Sequence, residues 1–411
     1  MKHVKKTVMR FTSNPGHLHK QSLLVIGPTP PPYHGVSMAM KAMLESSLAI
    51  TFDLSHIDLA DRRGIEHVDK PDLHDLWLVV KQCGQLARLY LRKPPDLVYM
   101  AISQSTLGFL RDSLFLFPAL MTGGKIVVHL HGGNFRVWYE ARGKAMQWAI
   151  GKVLSRVSRV IVLGEAFRSL FSGLVAQGRI VVVPNGVKYP SAVPSVKPGQ
   201  ERFRIMYLGT LTSLKGLFVL MAAIPPVREK HPDVEFVFAG PWFDEHDRQA
   251  AEAFIEAHHL RDHVIFTGPV TTAEQKHAIL GSAHVFVFPG VQQEGQPLTV
   301  LEAMSEGLPV IATDRGCLRE TIVEGETGFL IPPGSSQAIA EYIVRLIGNK
   351  EMRIRLSAQA IARYREHYTM ERFIERMEKV LVDVVGESRS STVTLSNSQS
   401  DPSPKELSSL R

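Results

Sequence analysis

Cysteine is scarce. Among 411 residues only Cys83 and Cys317 carry a thiol, far apart and outside any CxxC or Cys/His cluster. That excludes a disulfide framework and a zinc site of the usual spacing, and leaves two reduced core thiols of a cytosolic protein. Long apolar runs are also lacking. The most apolar stretch, 107–121, is interrupted by Arg111, Asp112 and Pro118, so it falls short of the roughly 20 residues a membrane span needs. It reads as a buried helix. The basic start MKHVKKTVMRFTSNPGHLHK is not followed by the apolar core of a signal peptide. The expected location is the cytoplasm, with peripheral attachment to the cytoplasmic face of the membrane compatible with the same observations. There is no repeat of solenoid period and no DxD triplet.

Acid is missing where base is abundant. Residues 1–20 hold five Lys/Arg and no Asp or Glu, and residues 21–188 hold 19 Lys/Arg against 12 acids. Residues 189–386 reverse the balance, with 20 against 25. The net charge of +7 therefore resides in the first half, and the two halves face different partners. No zinc-finger, basic-zipper or similar signature accompanies the positive charge, so nucleic acid is not an expected partner.

Short apolar runs alternate with helical patterns. The runs include 23–26, 97–101, 126–131, 160–163, 180–183, 204–208, 234–239, 284–289, 309–312 and 328–331. Between them lie amphipathic stretches such as 73–92, 135–156 and 217–230. This alternation predicts α/β architecture with parallel sheets covered on both faces. It breaks once, at YPSAVPSVKPGQE (189–201), a Pro/Ser-rich linker. The expected organisation is a basic flexible segment 1–20, a Rossmann-like domain 21–188, the linker, and a second Rossmann-like domain 202–370. A C-terminal helix 371–386 returning to the first domain and a disordered Ser/Pro-rich tail 387–411 complete it. Two such domains facing each other leave a cleft, and ligands of such sheets bind beyond the carboxyl ends of strands.

The segments after the strands carry the chemistry. HVFVFPGVQQEGQPLTVLEAM (284–304) reads as a strand, a polar loop and a helix opening near Pro297, a residue suited to the first helical position. The free N–H groups of Leu298, Thr299 and their neighbours, with the helix dipole, form an anion site suited to a diphosphate. Glu294 and Glu302 flank it as acceptors for vicinal hydroxyls. GTLTSLKG (209–216) places Lys215 in a Gly-flanked loop where it can neutralise a phosphate. LLVIGPTPPPYHGV (23–36) runs from a strand to a loop whose Gly35 allows close backbone approach at a helix start. IVVHLHGGNFR (126–136) puts His131 at a strand end, and His129 is expected to point elsewhere.

The combination of GTLTSLKG, VFVFPGVQQEGQPLTVLEAMSEGLPVIATD and ETGFLIPPG resembles the C-terminal domain of the retaining family 4 glycosyltransferases, and the resemblance runs from about residue 22 to 385. It implies the GT-B architecture of two facing Rossmann-like domains with an interdomain cleft. By the E-x7-E spacing, it carries donor-sugar binding onto Glu294 and ribose binding onto Glu302. It carries contacts to sugar and diphosphate onto the backbone of Gly295, Gln296, Pro297, Leu298 and Thr299, and phosphate binding onto Lys215. Gly209 and Thr210 belong to the same donor loop. Thr210 stands where many members have Arg, which makes Arg315 the candidate replacement cation. Gly35 falls near the donor phosphates, although His34 replaces the first of two glycines there. His131 of HGG would approach the donor sugar and reaction centre, so His131, Glu294 and Lys215 are the candidate catalytic residues. The implied partners are a UDP- or GDP-sugar as co-substrate and a glycan or lipid-linked acceptor, in cell-surface polysaccharide biosynthesis. No cofactor and no metal are expected.

The resemblance also implies that the basic half receives the acceptor. Ser103–Arg111 follows a strand and is expected to line it. Lys152, Arg156 and Arg159 are spaced to share one helical face near Trp138, Tyr139 and Trp148. With Arg111 and Arg136 they are the candidates for an acceptor or an anionic membrane surface. Two rival functions share the features read so far: a nucleotide-sugar epimerase of the same architecture, and a non-catalytic nucleotide-sugar-binding protein.

Overall fold

The computed structural model describes residues 20–31, 33–63, 72–188 and 202–396, with side chains to residue 387. The basic N-terminal segment up to residue 19, the linker 189–201 and the tail beyond 396 lie outside the described residues. The first sheet contains β1 (Gln21–Gly27), β2 (Phe52–Asp58), β3 (Leu97–Ala101), β4 (Lys125–His129), β5 (Arg159–Val162) and β6 (Ile180–Val182). The second contains β7 (Phe203–Leu208), β8 (Val234–Ala239), β9 (Val264–Gly268), β10 (Val285–Phe288), β11 (Val310–Thr313) and β12 (Gly328–Ile331). Their orders are β2-β1-β3-β4-β5-β6 and β12-β11-β10-β7-β8-β9, with every named pairing parallel. Winding reverses between β1 and β3 in one sheet and between β7 and β10 in the other, which opens a crevice at the carboxyl end of each.

The interior strands are apolar on both faces because helices cover both. All of LVYMA in β3 and VFVF in β10 is buried. The edge strands β2 and β9 alternate buried and exposed positions, so neither forms the continuous apolar run that marks the others. On one face of the first sheet, Leu24, Val98, Met100 and Val128 pack with Leu86 of helix Leu73–Arg92 and Phe115 of helix Thr106–Thr122. On the other, Leu23, Val25 and Tyr99 pack with Met40 of helix Gly35–Leu44 and with Phe373, Met377 and Leu381 of helix Met370–Ser396. The last helix of the chain thus completes the core of the first sheet.

Three expectations require correction. The stretch 135–156 is two helices, Phe135–Glu140 and Lys144–Leu154, separated at Gly143, whose extended backbone cannot continue the first. Arg156 and Arg159 lie beyond the second, and Arg159 opens β5, so Lys152, Arg156 and Arg159 do not share a helical face. The C-terminal helix does not stop at 386 but continues through Ser396. Once propagating, a helix tolerates Ser, Thr and Val at a few tenths of a kcal/mol each, and the next proline is Pro402. Finally, helix Thr106–Thr122 is only half buried: Phe109, Phe115, Leu116 and Ala119 face the sheet, while Leu107, Leu110, Leu114, Phe117 and Met121 face solvent. No helix among the described residues is long and apolar enough to cross a membrane.

The chain passes between the two sheets twice, and the crossings are tied together. The Val187 N–H donates to the Tyr368 carbonyl at 3.0 Å, and the Met370 N–H donates to the Val187 carbonyl at 2.9 Å. A Cβ at Gly186 would stand 2.5 Å from the Thr369 carbonyl oxygen, so this approach requires glycine.

Candidate active site

The loops after β7 and β10 meet at the switch point of the second sheet. Gly216 adopts φ +80°, and a Cβ there would lie 2.0 Å from the Pro289 carbonyl oxygen. The glycine lets the turn holding Lys215 press against the end of β10. Asp247 supports the same turn, accepting the Ser213 N–H at 2.9 Å. Sequence reading missed this residue, because nothing in the EHDRQAAEA pattern distinguishes a buried aspartate from a solvated one. Lys215 forms an ion pair with Glu294, and Gln292 donates to the same carboxylate oxygen at 3.3 Å. Thr210 is half-buried, and its carbonyl accepts the buried Tyr207 hydroxyl at 2.8 Å.

After the β10 loop, helix Leu298–Ser305 begins with Pro297 as its N-cap, one residue later than the proline-first reading. No side chain caps it. The leading amides of Leu298 and Thr299 are therefore left for a ligand, and the dipole favours an anion there. Glu302, on the next turn, accepts Lys276 Nζ at 2.6 Å through one oxygen, while its other oxygen is buried without a partner. Lys276, on helix Ala273–Leu280, was not anticipated; only the packing of that helix against Leu298–Ser305 brings it there. Its neighbour His277 pairs with Glu306 at 2.7 Å.

Gln296 has a second engagement through its side chain. Its side chain is buried, accepts the Asn185 N–H at 2.7 Å and donates to Thr321 Oγ1 at 3.0 Å, while its carbonyl accepts Asn185 Nδ2 at 3.0 Å. These bonds tie the end of the first half to the second. Arg315 is half-buried on the loop after β11, and its Nε is buried without a partner. The next residue, Gly316, has φ +53° and abuts the Glu294 carbonyl. The Arg315 loop thus borders the loop that carries Glu294.

The first half closes over these loops. A Cβ at Gly295 would stand 2.0 Å from the His131 carbonyl oxygen, and one at Gly133 would stand 2.8 Å from the Glu294 carbonyl oxygen. The HGG and EGQ segments interlock because neither has a side chain at the contact. Both ring nitrogens of His131 are buried and unpartnered. Burial, and then the neighbouring His34, push its pKa down to about 3. It is a neutral imidazole able to make one donor and one acceptor contact.

His129 does not point elsewhere. Residues two apart in a strand share a face, and its ring lies 3.9 Å from that of His131, tilted by 31°. The Tyr99 hydroxyl and His129 Nδ1 form a hydrogen bond of 2.8 Å, and burial holds His129 well below the usual imidazole range. His34 is the N-cap of helix Gly35–Leu44, accepting the Ser37 N–H through Nδ1 at 3.3 Å. A Cβ at Gly35 would meet nothing within 4 Å, so open space adjoins this helix start.

The acceptor-side cations are mostly engaged. Arg111 pairs with buried Asp112 at 2.9 Å and donates to Ser103 Oγ at 3.1 Å. Arg136 bridges Glu140 and the Ser172 carbonyl, and Arg159 pairs with Glu387 of the C-terminal helix. Lys152 lies over Trp148, 5.6 Å from the ring centre, and Arg156 is exposed.

This geometry has known relatives. Residues 192–363 match the family described as Glycosyl transferases group 1, and residues 49–186 match the Glycosyl transferase 4-like domain. A phosphatidyl-myo-inositol mannosyltransferase of Mycobacterium leprae is 34% identical over 192 residues, 45% of this chain and 49% of the relative, so the match spans about half the length of each. A GDP-mannose:cellobiosyl-diphosphopolyprenol alpha-mannosyltransferase of Xanthomonas oryzae is 27% identical over 67% of this chain and 73% of its own. Among solved structures, the Anabaena HepE protein in complex with UDP and glucose has a TM-score of 0.68 at 17% identity, covering 88% of this chain and 99% of that one. A sucrose-phosphate synthase of Thermosynechococcus elongatus has a TM-score of 0.72 at 18% identity, covering 90% of this chain and 100% of its own. Two parallel sheets meeting at glycine loops, with both halves matched by family, place the chain among the group 1 glycosyltransferases of GT-B architecture.

Proposed function

We propose that the chain transfers a sugar, with retention, from a UDP- or GDP-sugar to a hydroxyl of a glycan or lipid-linked acceptor in the cytoplasm, for cell-surface polysaccharide synthesis. The observation that carries this reading is the uncapped start of helix Leu298–Ser305, set between Glu294 and Glu302 at a switch point. The bond from the anomeric carbon to the diphosphate breaks as the acceptor oxygen bonds to that carbon on the leaving-group face, and the acceptor hydroxyl proton passes to the departing diphosphate oxygen. Negative charge then grows on the diphosphate. Lys215, the Leu298 and Thr299 amides and the helix start at Gly35 stabilise it, an electrostatic effect that is commonly the largest catalytic contribution. Lys215 leaves Glu294 for the phosphate, freeing that carboxylate for sugar hydroxyls, while Glu302 accepts from the ribose through its unpartnered oxygen. Neutral His131 bonds the sugar. No protein nucleophile or metal is assigned a step.

A panel of UDP- and GDP-sugars tests this. GDP-mannose comes first, because it stands in the name of the Xanthomonas relative. A donor at about 100 times its Kd adds about 2.7 kcal/mol to the native state and raises the melting temperature. Absence of any shift across the panel overturns the reading. Sugar interconversion without an acceptor would replace it with an epimerase.

A further inference from the structure

Helix Thr106–Thr122 exposes a stripe with no polar side chain. Leu107, Leu110, Leu114, Phe117 and Met121 recur at helical spacing and are each 50–68% exposed. Helix Leu73–Arg92 lies beside it and adds Leu76, Trp77, Val80 and Leu91, each 55–87% exposed. Contiguous apolar surface of this kind is uncommon on a monomer and marks a contact face.

The charge around the face selects the partner. Lys81, whose Nζ lies 5.2 Å from the Trp77 ring centre, is exposed, as are Arg88, Arg92 and Lys93. Of the carboxylates on the two helices, Asp75 and the cap Asp72 share the single Arg63 guanidinium with Asp61, and Asp112 is buried against Arg111. A second copy related by a two-fold axis would bring like charges together. An anionic lipid surface complements both the cations and the leucines. The stripe also begins at the cleft. Gln104 accepts the Asn134 N–H at 2.8 Å beside Gly132, and Thr106 Oγ1 accepts Arg142 Nη1 at 3.1 Å.

We infer that these two helices dock the chain on an anionic bilayer, with the mouth of the cleft turned toward the lipid. The inference stands on exposure and charge, independently of the transferase reading, and vesicle binding is measured without turnover.

The experiment is co-sedimentation of the full chain with equimolar phosphatidylcholine/phosphatidylglycerol vesicles and with pure phosphatidylcholine vesicles. The wild-type chain is expected to pellet with the anionic vesicles, less so at high salt. The triple variant Leu110→Glu, Leu114→Glu, Phe117→Glu is expected to lose about tenfold or more in vesicle affinity. All three positions are exposed, so its melting temperature should match wild type. Arg88→Glu with Arg92→Glu should erase the preference for anionic vesicles. Equal pelleting of wild type and triple variant overturns the assignment. So does failure of wild type to pellet, including the case of a wild-type dimer that the triple variant dissolves into monomers.

Discussion

Each of the two glutamates at the candidate site is held by one lysine, and each lysine comes from another element of the chain. Lys215 and Glu294 act together, so replacing either by Ala should reduce transfer by about 10²–10³-fold, the usual effect of losing one charge-stabilising group. Melting temperatures should stay close to wild type, because both side chains lie in a partly open cleft. Near-wild-type transfer by both variants would remove them from the mechanism. The histidines make a separate prediction. His131 titrates near 3 in the folded chain and near 6.5 when unfolded, so below pH 6.5 the unfolded state binds the extra proton. Stability therefore falls as pH drops from 6.5 toward 3, by up to about 1.4 kcal/mol per pH unit for each such group. His34 and His129 are lowered by burial and add to the same slope. Melting curves from neutral to mildly acidic pH should show this loss, and His131→Phe should flatten it. An unchanged slope would contradict the burial of that ring.

At the scale of elements, two glycines at helix starts make opposite demands. Gly216 is fixed by the protein, since any side chain there meets the Pro289 carbonyl and would need a left-handed backbone. Gly216→Ala should lower the melting temperature and disrupt the Lys215 turn. Gly35 is fixed by nothing in the protein, since its Cβ position is open. Gly35→Ala should leave the melting temperature unchanged and weaken donor binding. Equal donor affinity would mean that no ligand approaches this helix start. Elements also differ in how legible they are. Buried β3 and β10 announce themselves as apolar runs, while β2 and β9 hide because an edge strand solvates half its side chains. Helix Thr106–Thr122 reads as buried in the sequence because an apolar stripe and an apolar core contribution have the same composition.

At the scale of the whole molecule, the two halves are joined by polar contacts, buried at Gln296 and exposed at Glu320. Gln296 ties Asn185 to Thr321, and both Glu320 oxygens accept the Glu165 and Ala166 amides across the interface at 2.8 and 2.7 Å. Gln296→Ala leaves the Asn185 N–H without its partner, at about 1–3 kcal/mol, while the Thr321 hydroxyl keeps its bond to the Cys317 carbonyl. Calorimetry should show a lower melting temperature, and separation of the unfolding into two transitions would identify the tie as the source of their coupling. The C-terminal helix matters more, since Phe373, Met377 and Leu381 are buried against the first sheet. Truncation before Met370 should expose that sheet and leave the chain aggregated.

The sequence by itself determined the alternation of strand and helix, the two sheets it implies, and the loops that carry Lys215, Glu294, Glu302 and His131. These properties are local: periodicity, turn residues and the residue that follows a strand. The tertiary structure alone decided what those residues touch. It placed the Gln296 side chain in the joint between the halves, brought Lys276 to Glu302, stacked His129 on His131, engaged Arg159 with Glu387, and left the outer face of helix Thr106–Thr122 uncovered. Each of those outcomes depends on contacts between segments far apart in the chain, and no local pattern encodes which distant surface a helix will meet.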